Sequence, residues 1–295
     1  MAQRIVVSGA SGLVGTALVS ALRAEGVAVT RLVRRPPSSS DEVQWRPGER
    51  DLDPAVLAGA DAVVALGGAS VGRLPWTRGY RRTLVESRLI TTRTIATAVR
   101  ALAADAPAFV SASAVGYYGS APGEVLTESA PAGDTFLARL CVRWEDEARR
   151  AGDHARVALL RTAPIVHRSG VLKPLIQSTR FGLAGPLGPG TQLWPWISLE
   201  DEVRGIRQVI DAGLDGPVNL SGPSPATADD LGRAVADRMR RPFWVPAPAW
   251  ALRLALGDAA ESLLLSDADV RPDALLASGF TFSRTTVQQA VDAAL

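Results

Sequence analysis

The sequence predicts an α/β protein built on a doubly wound parallel sheet. Three observations carry the prediction: a glycine-rich turn between an N-terminal apolar strand and a helix, apolar strands alternating with amphipathic helices as far as Arg161, and helices long enough to cross back over a sheet. Ile5-Val6-Val7 is the first strand, and behind Gly9, Gly12 and Gly15 the residues Leu13, Ala17, Leu18, Ala21 and Leu22 recur at helical spacing. Val27 to Val33 reads as the second strand, Val43 to Trp45 as a weak third, Pro54 to Ala58 as a short helix and Ala62 to Leu66 as the next strand. A long arginine-rich helix, Arg78 to Ala104, precedes a strand at Ala108 to Ser111, and a helix from about Thr135 to Ala151 leads to the strand Val157 to Arg161. Parallel strands joined this way require right-handed crossovers. Beyond Arg161 the rhythm loosens. Residues 182–196 hold too many Gly and Pro for a regular element and read as a binding loop. Pro217 to Leu220 can return one more strand, Thr227 to Arg240 is a helix with Thr227 as N-cap, and helices at Ala249 to Leu256, Pro272 to Ala277 and Thr285 to Ala294 suit a small cap.

Composition narrows the function classes. The 295 residues, 47% of them hydrophobic and 21% charged, are those of a globular chain, which excludes disordered, collagen-like and disulfide-scaffold readings. Cys141 has no partner for a disulfide, and with only His154 and His167 beside it no zinc site is expected. A net charge of +2 leaves no footprint for nucleic acid or an acidic membrane face. Lys173 is the sole lysine, so the pI of about 9.1 reflects arginine rather than a strongly basic surface. No charged-then-apolar leader precedes Ile5 and no apolar run approaches the roughly 20 residues of a membrane span, so a cytoplasmic protein is expected.

Ser8-Gly9-Ala10-Ser11-Gly12-Leu13-Val14-Gly15 leaves a strand and opens a helix. Glycines there permit a tight turn and let a pyrophosphate approach the unpaired N–H groups and positive dipole end of the helix, so a dinucleotide is expected. A cofactor without a 2′-phosphate calls for an acidic residue at the end of the second strand. Here that strand ends Leu32-Val33-Arg34-Arg35, two guanidiniums that suit a phosphate, and NADP(H) is favoured over NAD. A solvated arginine pair beginning a loop is the alternative.

With these motifs, with Leu66-Gly67-Gly68 and with Ser111-Ala112-Ser113-Ala114-Val115-Gly116-Tyr117-Tyr118-Gly119, the chain resembles the extended short-chain dehydrogenase/reductase superfamily. It is most similar to an atypical epimerase-like subgroup, called cell-division-inhibitor-like, with a small C-terminal domain of unknown function. Trp76-Thr77, Ser87-Arg88 with Thr92-Arg93, Phe136-Leu137 through Trp144-Glu145, Gly185-Pro186-Leu187-Gly188, Trp196-Ile197 with Asp201, and Pro246 to Glu261 followed by Leu263 to Ser266 carry that similarity. The resemblance implies an NADP-binding Rossmann domain over residues 1–168, its sheet completed by 197–222, with a substrate lobe and cap from 169–196 and 223–295. It implies cofactor contacts from Gly9 to Gly15, Leu66, Gly67, Gly68, Ser111 and Ala112, with Pro164 and Ile165 orienting the nicotinamide amide. Arg88 stands where the superfamily has an asparagine facing the cofactor, positioned for substrate or nicotinamide ribose, a solvated helix arginine being the alternative.

The superfamily's catalytic pair, a Tyr with a Lys four residues later, is absent, because Leu84, Ala121 and Pro122 follow Tyr80, Tyr117 and Tyr118 at that spacing. Leu137 and Cys141 stand in its place, and the apolar stripe around Cys141 marks it as structural. The resemblance implies that Ser113 hydrogen-bonds the reacting carbonyl; Tyr117 or Tyr118 on the following loop could supply the missing acid, loop packing or substrate stacking being the alternative, and Trp76, Trp194 and Trp196 could line a substrate pocket beside Ser113 and Tyr118 or pack the core. The expected function is an NADPH-dependent oxidoreductase acting on a small organic carbonyl or enone, as a monomer or homodimer. The alternatives are a nucleotide-sugar epimerase or dehydratase, and an NADP-binding regulator without catalysis.

Overall fold

The computed structural model describes residues 3–295. Its centre is a seven-stranded sheet of β1 (Arg4–Ser8), β2 (Ala28–Val33), β3 (Glu42–Gln44), β4 (Ala62–Ala65), β5 (Ala108–Ala114), β7 (Val157–Thr162) and β10 (Gly216–Leu220). The strands lie side by side as β10-β7-β5-β4-β1-β2-β3, every pairing parallel. The chain therefore runs outward from β1 to β3, returns to β4 on the far side of β1 and runs outward again. Where those directions diverge, above the carboxyl ends of β1 and β4, neighbouring loops part and leave a crevice.

Alternation along β1 assigns the two faces, with Ile5 and Val7 pointing one way and Val6 the other. On the first face they pack with Leu18 and Leu22 of α1 (Leu13–Ala24) and Val203 and Ile206 of α5 (Leu199–Asp211). On the second, Val6, Val63 and Phe109 pack with Ile95 and Val99 of α2 (Arg78–Ala101) and Ala148 of α3 (Phe136–Arg149). Both faces are covered, which is why the strands read as continuous apolar runs.

β5 extends to Ala114 rather than Ser111 because β7 pairs with it as far as Thr162. The segment 54–58 is only a short 3-10 turn at Pro54–Val56. α5 and α4 (Leu172–Arg180) are helices that the strand-and-turn reading passed over. The sequence does carry the signal for α5: Ser198 caps it by accepting from Asp201 N–H, and Val203, Ile206 and Ile210 follow at helical spacing.

The segment 182–196, expected as a binding loop, has no regular element and is packed against the C-terminal part. Ala184 O accepts from Trp244 and Val245 N–H, Pro186 O from Ala247 N–H, and Leu193 N–H donates to Asp267. Two short parallel ladders add staples: β6 (Val125–Leu126) with β11 (Asp269–Val270), and β8 (Ile165–Val166) with β9 (Ile197–Ser198). The C-terminal part also contains α6 (Ala228–Arg238), α7 (Ala249–Leu256), α8 (Asp258–Leu263), α9 (Asp273–Ala277) and α10 (Val287–Ala294). Thr227 and Asp230 form a reciprocal capping box at the start of α6, as its N-cap reading anticipates. No helix among the described residues is long and apolar enough to cross a membrane.

Candidate functional site

At the crevice, three glycines do three different things. Gly9 sits at φ +75°, and a Cβ there would lie 2.8 Å from the Leu66 carbonyl carbon, so the turn after β1 can press against the loop after β4 only without a side chain. Gly12 begins α1 with no side-chain cap, which leaves the first-turn N–H groups for an incoming anion. A Cβ on Gly15 would meet Gly9 O at 2.2 Å, so glycine lets the helix close onto the turn. This cradle suits a diphosphate.

Next to it, a cleft of about 620 Å³ is lined by Arg34, Trp45, Arg46, Ser87 and Thr91, with Glu49 and Glu86 also in its wall. The expected arginine pair divides here. Arg35 is committed elsewhere, its Nη1 and Nη2 donating to Glu42 Oε2 and Oε1 at 2.8 and 2.6 Å. Glu42 is buried and also accepts from Ser38 N–H at 2.7 Å, and the Arg35 contact foremost holds its carboxyl down at about 2. Glu42 is thus the competing carboxylate that the end of β2 lacks in sequence. It comes from β3, set in place by the Arg31–Glu42 register. Arg34 and Arg46 are exposed in the cleft, and Arg46 has only exposed Glu49 at 3.6 Å.

The residues expected at the reacting oxygen belong instead to a buried network. Arg161 is 2% exposed; its Nε and Nη2 donate to Glu145 Oε1 and Oε2 at 2.9 and 3.0 Å, and its Nη1 to Tyr118 Oη at 3.0 Å and Glu128 O at 3.1 Å. Ser113 Oγ donates to the same Glu145 at 2.8 Å, and the Tyr118 hydroxyl donates to Asn219 Oδ1 at 2.7 Å. Ser113 and Tyr118 are therefore buried, and each hydroxyl is paired within the protein. Tyr117 is partly buried with its ring 3.5 Å from the Arg161 guanidinium carbon. Ser111 is wholly buried within β5, its hydroxyl donating to Ala112 O at 3.3 Å, so its side chain is withdrawn from the crevice.

The three tryptophans are core residues rather than pocket walls. The indole N–H groups of Trp76, Trp194 and Trp196 donate to Val71 O, Leu264 O and Ser224 O, and all three rings are buried. Pro164 is exposed at the sheet edge, but its carbonyl accepts from Ile197 N–H at 3.2 Å, and that of Ile165 accepts from Val171 N–H at 3.3 Å. Cys141 is buried, and burial first, Glu145 second, push its thiol up to about 12. The thiolate required of a nucleophile is absent at neutral pH.

Besides the buried Ser8 hydroxyl at the end of β1, which has no partner among the described residues, two ionisable groups withdrawn from solvent at the carboxyl edge lack ordinary partners. Arg88, on α2, lies against Gly68 and stacks on Trp144, and no carboxylate among the described residues is within ion-pair distance. Glu202, in the first turn of α5, accepts from Thr162 Oγ1 at 2.9 Å, while its other oxygen is enclosed without a partner among the described residues. Burial pushes this carboxyl up to about 8.

The profile of the NAD dependent epimerase/dehydratase family matches residues 5–220, and that of a domain of unknown function (DUF1731) matches residues 247–294. The chain belongs to the NAD dependent epimerase/dehydratase family. Within the family it is 39% identical over 292 residues to epimerase family protein Mb2239 of Mycobacterium bovis, covering 97% of this chain and 96% of that one. The crystal structure of human epimerase family protein SDR39U1 with NADPH superposes with a TM-score of 0.88 at 27% identity, covering 99% of both chains. The nucleoside-diphosphate sugar epimerase of Corynebacterium glutamicum, 30% identical, superposes at 0.81 over all of this chain and 58% of its own.

Three expected outcomes test this description. Glu145→Gln leaves Arg161 buried without a counter-charge and should cost about 3–5 kcal/mol, read as a shift in urea midpoint; a loss under 1 kcal/mol would show that the pair is not sealed from water. Glu202 holds a proton in the folded chain that the unfolded chain releases near 4.5, so its contribution makes stability fall as pH rises from about 4.5 to about 8 and levels off above. Glu202→Gln should abolish that slope, matching the parent near pH 4 and melting higher at pH 8.5; parallel curves across the range would refute the burial. Cys141 should label slowly with iodoacetamide in the folded protein at pH 7.5, and rapid labelling would put an exposed thiolate there.

Proposed function

We propose that this protein binds NADPH and acts as an oxidoreductase on a small organic carbonyl or enone. The glycine cradle would hold the diphosphate, and Arg34 with Arg46, rather than Arg34 with Arg35, would hold the 2′-phosphate. The observation that carries this reading is the cleft with two exposed guanidiniums beside a cradle that only glycine can form. The NADPH bound to its human relative supports the same cofactor. Bound there, NADPH supplies a hydride from its nicotinamide.

The chain's own residues divide the remaining work. Glu42 holds Arg35 back and fixes the loop after β2, so that Arg34 projects into the cleft. The Glu145–Arg161 pair fixes the end of β5 and the Tyr117 turn at the crevice. With Ser113 and Tyr118 withdrawn, Tyr117 and water are left as sources of the proton that completes reduction.

The burial of Ser113 and Tyr118 also favours a second reading, an NADP-binding regulator without turnover. Oxidation of bound NADPH by a panel of carbonyls and enones separates the two, and UDP-sugars incubated with the protein loaded with NADP+, read for the epimerised or dehydrated sugar, test the epimerase reading.

For cofactor choice the expectation is at least about tenfold tighter binding of NADPH than NADH, since each charge-assisted contact is worth roughly 1.5–3 kcal/mol and 1.4 kcal/mol is a decade. Fluorescence titration should show Arg34→Ala and Arg46→Ala each losing most of that preference and Arg35→Ala losing less than either. Equal affinities in the parent protein, or a preference untouched in Arg34→Ala/Arg46→Ala, would overturn the assignment.

A further inference from the structure

Arg88 is a cation without a counter-ion at the edge of the crevice. Its Nη1 donates to Leu84 O at 3.1 Å within α2, and its guanidinium carbon is 5.1 Å from the centre of the Trp144 ring. A Cβ on Gly68 would lie 3.1–3.3 Å from Cζ, Nε and Nη2, so the bare backbone after β4 is what makes room for the group. Burial pulls its pKa down, and the groups opposing that shift are Cys141 and Tyr80, not a carboxylate. An arginine fixed in partial burial without an acid is destabilising in isolation, and its unused N–H donors are organised for an anion from outside.

The cofactor's phosphates have other donors. Ser87 lines the cleft beside Arg34 and Arg46, whereas Arg88, one residue on and roughly 100° around the helix, turns to α3. There it lies beside Cys141, which stands where the superfamily's lysine would supply a positive charge.

We propose that Arg88 receives the carboxylate of the substrate, and hence that the substrate is a small carboxylic acid carrying its reducible carbonyl or double bond close to the acid group. The inference rests on the NADPH reading above. It makes Arg88 a specificity-determining contact.

The test uses the full-length protein loaded with NADPH and titrated with pyruvate and crotonate, each against its methyl ester, with binding read from line broadening of the probe's NMR signals. A separate NADPH titration of every variant keeps failure of the cofactor reading distinguishable from failure of this one. Both or either carboxylate should bind, its ester at least about tenfold more weakly, and Arg88→Gln and Arg88→Met should lose at least about tenfold for the acid while binding NADPH as the parent does. Arg88→Lys should retain part of the binding. Arg88→Met should also raise the melting temperature of the apoprotein by a few degrees, because it removes an unpaired charge. Esters binding as well as acids, neither acid binding, unchanged acid binding in the Arg88 variants, or NADPH affinity falling with them would each overturn the proposal; a lower melting temperature for Arg88→Met would mark the arginine as structural and do the same.

Discussion

Arg161 lies near the carboxyl end of a central strand, withdrawn from water, and its charge can stay there only because a carboxylate pairs it and four of its five N–H donors are met. Glu145 meets two of them from α3, and the Tyr118 hydroxyl and the Glu128 carbonyl take the third nitrogen. Each partner is held in turn: Glu145 by Ser113 and by Arg149, and Tyr118 by Asn219, whose amide donates to Arg271 O. One buried charge therefore ties β5, β7, β10, α3 and the segment around Arg271 into a single polar unit. Burial works against the charge on Arg161, and the bidentate carboxylate restores it. A network of this kind adds little stability over an apolar core of the same volume, but it tolerates few alternative arrangements and fixes the geometry of the sheet edge.

That constraint explains why part of the site was hidden in the sequence. The glycine turn was legible because its conformational demand is local: a left-handed residue, an uncapped helix start and a close helix–turn contact all fall within Gly9 to Gly15. The strand order followed from alternating elements for the same reason. Ser113 and Tyr118 looked available because nothing near them in sequence could consume their hydroxyls. Their partners, Glu145 and Asn219, lie 32 and 101 residues further on. Arg35 is paired across a similar gap, since Glu42 reaches it only by the register of β3 on β2. Tryptophan indoles are equally at home in cores and pockets, and only the carbonyls accepting their N–H groups decide between the two.

The distribution of arginine follows from the same accounting of partners. Arg31, Arg35, Arg93, Arg161 and Arg207 all meet carboxylates, several of them bidentate or shared, and serve to lock elements together. Arg34 and Arg88 meet none among the described residues, and Arg46 only a distant, exposed one. These three stand along one side of the crevice, from the ends of β2 and β3 to α2. Their position follows from chain topology: the second half of the sheet brings α2 across the carboxyl edge beside the loops that leave β2 and β3.

On the opposite face, α5 contributes the other unpartnered group. Glu202 could neutralise a neighbouring cation if it were ionised, but its burial keeps it protonated at neutral pH, and the sheet separates it from α2. The carboxyl edge thus holds Arg34 and Arg88 without carboxylate partners among the described residues on one side, where Glu49 and Glu86 also line the cleft, and a neutral acid on the other. A dinucleotide carries its negative charge in the phosphates, which the glycine cradle and the Arg34–Arg46 cleft are placed to meet. The charge on Arg88, set apart on the α3 side, remains for a second anion, and this is the physical ground for separating a substrate subsite from the cofactor's own.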